Sequence, residues 1–115
     1  IKQNELKVEL GKVEVRNLII GTGTSKGEIG TAIFGEIFNN GMRTIKIAVL
    51  NVSFLSGSGK ILKEHKFYPV NKFSFSDSLA LEPGQTKEFG FPIDDIVPEK
   101  WGGEISSRLI DLKFK

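Results

Sequence analysis

Gly21-Thr22-Gly23-Thr24-Ser25-Lys26-Gly27 comes after an apolar segment, a setting in which glycine-rich loops can cradle phosphate. The dinucleotide fingerprint needs glycine where Lys26 stands, and a P-loop needs Gly-Lys-Ser/Thr in that order ahead of a helix. The next segment, Ile29 to Phe38, is β-branched and aromatic and reads as a strand, so no helix dipole faces a phosphate here. The stretch is expected to be a flexible inter-strand loop.

His65 is the single histidine, beside Glu64 and Lys66. A nucleophilic triad needs a nucleophile and an orienting acid folded around the imidazole, and the sequence nominates neither. His65 is therefore read as a solvated residue on the charged side of a strand. One histidine and no cysteine leave only carboxylates to complete a tetrahedral zinc shell. Asp94, Asp95 and Glu99 are the one carboxylate group that suggests calcium, but their spacing fits no EF-hand loop. Acids ahead of a short helical turn commonly cap it, and either that role or a place in a solvated loop is expected of Asp94 and Asp95. Asn51-Val52-Ser53 satisfies the glycosylation pattern inside an apolar strand, where it reads as a chance match. No catalytic, cofactor-binding or metal-binding residue is assigned, and the chain is read as a non-enzyme.

The residues nominated for contact with a ligand or partner are Tyr68 and Trp101, the only Tyr and the only Trp. An aromatic ring at a sandwich end can stack on a sugar or anchor a protein partner. The competing role is burial, since a lone Trp in a small domain commonly seals one end of the core. Phe67, Phe73 and Phe75 share one parity and are expected to point inward, leaving Tyr68 on the other side.

The elements that must position these residues are strands. Leu6, Val8 and Leu10 alternate with Lys7 and Glu9, and Val13 and Val15 resume the pattern after Gly11. This predicts one long first strand with a bulge at the glycine. Ile29 to Phe38 is a second strand, ended by Asn39-Asn40-Gly41. Residues 44 to 55 are the most apolar run and read as a central strand. Ser56-Gly57-Ser58-Gly59 turns it into a hairpin partner over residues 60 to 68, which Pro69 is expected to close. Phe73-Ser74-Phe75 comes next, then Pro83-Gly84 in a type II turn leading to Thr86 through Phe91. Residues 92 to 103 hold at most one helical turn; beyond them Ile105, Leu109 and Leu112 fit a helix face and Ile110, Leu112 and Phe114 a strand, and the flanking glycine pair favours the strand. About seven short strands with Gly and Pro turns predict an all-β, immunoglobulin/fibronectin-III-like two-sheet antiparallel sandwich.

With 115 residues, the chain is one domain over residues 1–115. Sixteen basic and 14 acidic side chains, interleaved in short groups, lack the clustered basic face that phosphate neutralisation requires, so nucleic acid is not an expected partner. No polybasic run suits an anionic leaflet, and no stretch approaches the ~20 apolar residues that span a bilayer. The chain opens on Ile1, which reads as a mature or trimmed product and leaves room upstream for a removed signal or N-terminal anchor.

Gly35-Glu36-Ile37-Phe38-Asn39-Asn40-Gly41, then Ile45 to Phe54 with Gly59 in the hairpin, then Leu81-Glu82-Pro83-Gly84-Gln85-Thr86 and Phe89, occur in an order that resembles the bacterial FxLyD-type immunoglobulin-like domains. The resemblance covers about residues 30 to 91, with Leu55-Ser56 where the family carries an acidic residue after the strand aromatic. It implies a non-catalytic interaction or spacer module of a bacterial envelope protein, periplasmic or extracellular and membrane-anchored, whose partner is a protein or cell-envelope component. A carbohydrate- or small-ligand-binding domain using Tyr68 and Trp101 is the alternative.

Overall fold

The strand from Ile45 to Leu55 buries Ala48, Leu50, Val52 and Phe54 at alternate positions, and it organises the molecule. The computed structural model describes residues 3–25, 27–71 and 80–115. Its elements, in chain order, are α1 (Gln3–Leu10), β1 (Val13–Ser25), β2 (Glu28–Asn39), β3 (Ile45–Leu55), β4 (Ile61–Val70), β5 (Thr86–Pro92) and β6 (Glu104–Phe114). They form two antiparallel three-stranded sheets, ordered β1-β2-β5 and β4-β3-β6. An extended segment at Leu81 makes one further bridge, to Ile45. First, second and fifth strands face third, fourth and sixth, the division that distinguishes an immunoglobulin-like sandwich from a simple meander. The core lies between the sheets, built on Ile33, Ile37, Leu50, Phe54, Phe89 and Leu112. Leu50 and Val52 belong to it, while Val49 is covered on the opposite face of the second sheet.

Three expectations are corrected. Residues 3–10 form a helix, not the start of a bulged strand. Leu6 and Leu10 satisfy a period of two, but they are also one i, i+4 pair, and both pack on the core while Val8 stays 59% exposed. Gln, Glu, Leu and Lys are good helix formers, which tips the local choice. Gly21 to Ser25 is likewise not a loop: β1 and β2 continue as a paired hairpin to Ser25 and Glu28. Pro69 does not close β4 but sits within it, buried, where the register against β3 slips between Ala48 and Leu50. β4 is an edge strand, so a missing N–H at a bulge costs no ladder bond. Phe73 and Phe75 lie outside the described residues.

Pro83-Gly84 turns as the sequence predicts. The Gln85 N–H donates to the Glu82 carbonyl at 3.0 Å, and Gly84 sits at φ 83°. A Cβ at Gly84 would meet no atom within 4 Å, so any penalty is purely conformational. Gly84→Ala is expected to lower stability by about 1 kcal/mol, read as a lower urea midpoint at unchanged slope. An unchanged midpoint would remove the turn's dependence on left-handed backbone.

Candidate functional site

Tyr68 and Trp101 are not brought together. Tyr68 is 45% exposed on β4, facing away from Phe67, which is buried. Trp101 is half-buried on the connection into β6. Its ring meets Phe54 edge-on at 5.6 Å and 82°, and its Nε1 donates to the Glu104 carbonyl at 2.8 Å. Trp101 thus closes one end of the core, whereas Tyr68 projects from the opposite side of the second sheet.

His65 shares the parity of Phe67, not that of Glu64 and Lys66. It is half-buried at the sheet margin, its ring 4.8 Å from Phe67, which corrects its reading as a fully solvated residue on the charged side. Asn51 and Ser53 both donate to the Glu64 carboxylate at 3.3 Å, so Asn51 sits in a strand with a partner of its own. Among the described residues, no group of three or more His, Asp or Glu side chains is arranged to hold a metal ion. No described helix is long and apolar enough to cross a membrane.

The surface with most chemical shape is one that the sequence pattern alone does not nominate. Along β2, Ile33, Gly35, Ile37 and Asn39 turn inward, so Phe34, Glu36 and Phe38 face out of the first sheet. The Phe34 ring lies down across its neighbours. A Cβ at Gly23 would come within 3.1 Å of its Cζ, one at Gly90 within 3.0 Å of Cδ1, and one at Gly21 within 3.3 Å of its edge. Side chains at those positions would lift the ring; bare backbone on both flanking strands lets it rest on the sheet, half-buried.

Asp94 forms the wall beyond the ring. Its carboxylate accepts the Thr31 N–H, at 3.0 and 3.2 Å to the two oxygens, and lies where a side chain on Gly30 would be. Asp94 thus bonds across to β2 and does not cap the turn, while both acids stay exposed as a solvated loop would leave them. The Ile93 N–H donates to the Thr31 carbonyl, and the Val97 N–H returns to the Ile93 carbonyl, so one helical turn fixes the acid against the sheet. Between ring and acid is a hollow of about 430 Å³ lined by Gly23, Gly30, Ala32, Phe34, Pro92 and Asp94. Ile29 at 81% exposure and Ile19 at 58% flank it.

Charge is distributed unevenly around this hollow. Glu28 and Asp95 stand beside Asp94 at one end. At the other end Glu36 and Glu88 are directly opposed across β2 and β5, on the same outward face. Arg16, directly opposite Glu36 across β1 and β2, is turned to Glu14 at 3.7 Å and lies over the Phe38 ring at 4.5 Å, and no described ion pair is made by Glu36 or Glu88. Like charges directly across a ladder destabilise it, so this pairing is held against its own repulsion.

The signal for this surface is present in the sequence as parity. Gly21 and Gly23 are two apart, as are Phe34 and Glu36, and Glu36 marks that parity as outward. Only the pairing of β1 with β2 places the glycines under the ring. Compared with protein-family models, with curated proteins and with solved structures, the chain matches none.

Proposed function

We propose that this chain is a non-catalytic interaction module of an extracytoplasmic, envelope-anchored bacterial protein, and that it meets its partner through the outer face of the β1-β2-β5 sheet. The observation that carries the reading is the Phe34 ring laid on Gly21, Gly23 and Gly90 beside exposed Ile19. Burial in the core accounts for the inward face of this sheet, but nothing in the fold requires an aromatic ring at the floor of a hollow on the outward one. The wider setting in the envelope rests on the resemblance of residues 30 to 91 to FxLyD-type domains.

A photo-crosslinking amino acid placed at Ile19, in cells producing the protein, is expected to give a discrete adduct. The same group at Lys46, on the other sheet, is expected to give none. Equal labelling from both faces, or from neither, would overturn the assignment of this face. The glycan alternative predicts that oligosaccharides shift the fluorescence of Trp101, yet that ring is packed on Phe54 and its Nε1 already has an acceptor.

A further inference from the structure

We infer that the partner presents a basic polypeptide segment, with lysine or arginine at both ends of an apolar centre, to the outer face of the first sheet. This rests on the reading of that face as the interaction surface and adds the chemistry of what covers it. The chain as a whole carries a formal charge of +2, yet acids stand at both ends of this face. Glu36 and Glu88 face each other at one end of the face, and Glu28, Asp94 and Asp95 gather at the other. Along β2, Glu36 and Gly30, over which Asp94 lies, are six residues apart, so the acidic ends are separated by about 20 Å. Phe34, Ala32, Pro92 and Ile19 occupy the interval.

Each part of this surface selects for the same occupant. Arg16, opposite Glu36, is engaged by Glu14 and the Phe38 ring, so the directly opposed Glu36 and Glu88 make no described ion pair and can take an ammonium or guanidinium group from outside. The open face of Phe34 takes an apolar side chain, or the stem of a lysine or arginine with its charge over the ring. An acidic peptide would meet repulsion at both ends. A neutral oligosaccharide would stack on Phe34 but leave the Glu36 and Glu88 repulsion in place.

The probe is a synthetic peptide with two lysines at each end of a short leucine-containing centre, titrated calorimetrically into the intact domain. It is expected to bind at low salt and to weaken steeply between about 50 and 300 mM salt. Glu36→Gln with Glu88→Gln is expected to weaken it at least tenfold while raising the melting temperature, because the same change removes the repulsion. Glu82→Gln with Glu104→Gln, away from this face, is expected to leave binding unchanged. Loss of binding in both double variants would identify general charge attraction and overturn the proposal. Failure of the basic peptide to bind, or equal binding of its glutamate-ended counterpart or of an oligosaccharide, would overturn it as well. If crosslinking from Ile19 persists while the basic peptide fails, the face stands and its cationic partner falls; if crosslinking fails too, both readings fall.

Discussion

Phe54→Ala is expected to cost the domain about 3–5 kcal/mol, the range for removing a large aromatic from a close-packed interior. Phe54 has no solvent exposure, and it lies on the central strand of its sheet, so its neighbours are held on both sides by ladder bonds and cannot easily collapse into the space. A domain of this size has roughly 5–15 kcal/mol of total stability, so the variant would lose a large fraction of it. The ring also supports the edge of Trp101 at 5.6 Å. Since Trp101 is the only tryptophan, native-state emission should move to the red as its packed edge opens, and the urea midpoint should fall together with it. A loss below about 1.5 kcal/mol would show that this end of the sandwich repacks freely, contrary to the geometry.

Asn39→Leu is expected to cost about 3 kcal/mol, although it puts an apolar residue of similar size into a buried place. Asn39 is 1% exposed at the end of β2, and its amide serves three backbone groups at once. Its Nδ2 donates to the Arg43 carbonyl at 2.8 Å and the Leu81 carbonyl at 3.0 Å, while its Oδ1 accepts the Gly41 N–H at 2.9 Å. Leucine leaves those groups in place without partners, which is more damaging than removing both halves of a hydrogen bond. The corner from β2 into β3 and the Leu81 segment would loosen together, because Asn39 also accepts the Gly84 N–H through its carbonyl at 2.7 Å. Hydrogen exchange at Gly41 and a denaturation midpoint test the two consequences. Full protection of the Gly41 amide in the variant would show that the side chain is not what organises the corner.

Asn39 also illustrates what alternation can and cannot reveal. The Asn39-Asn40-Gly41 stretch announces a turn by composition, but nothing local says that the first asparagine is buried and its neighbour exposed. That depends on Leu81 arriving from 42 residues away. β3 was legible because it is the most apolar run of the chain, whereas β6 was open to a helical reading, since Ile105, Leu109 and Leu112 fit a helix face and a register shift breaks its alternation against β3. Leu6 and Leu10 misled because a separation of four fits two strand repeats and about one helical turn equally well; Val8, turned to solvent, breaks the tie only in three dimensions. The candidate site was half legible. Phe34 and Glu36 share an outward parity on one strand, whereas Gly90 and Asp94 reach the same surface only through the pairing of β2 with β5 and its continuation.

The central place of β3 also fixes the order in which the molecule can complete itself. Its first partner, β4, comes across a short turn, but its second, β6, is the last strand in chain order. β2 waits similarly for β5, so each sheet begins as a hairpin and acquires its third strand from far along the chain. Closing such distant pairings is slow, on the order of milliseconds to seconds for sandwiches. During synthesis, β3 therefore emerges with one flank paired and the other open, exposing a long apolar edge until residues 104–114 clear the ribosome. The nascent hairpin is the form of this protein most prone to self-association, and arrival of the final strand ends that exposure.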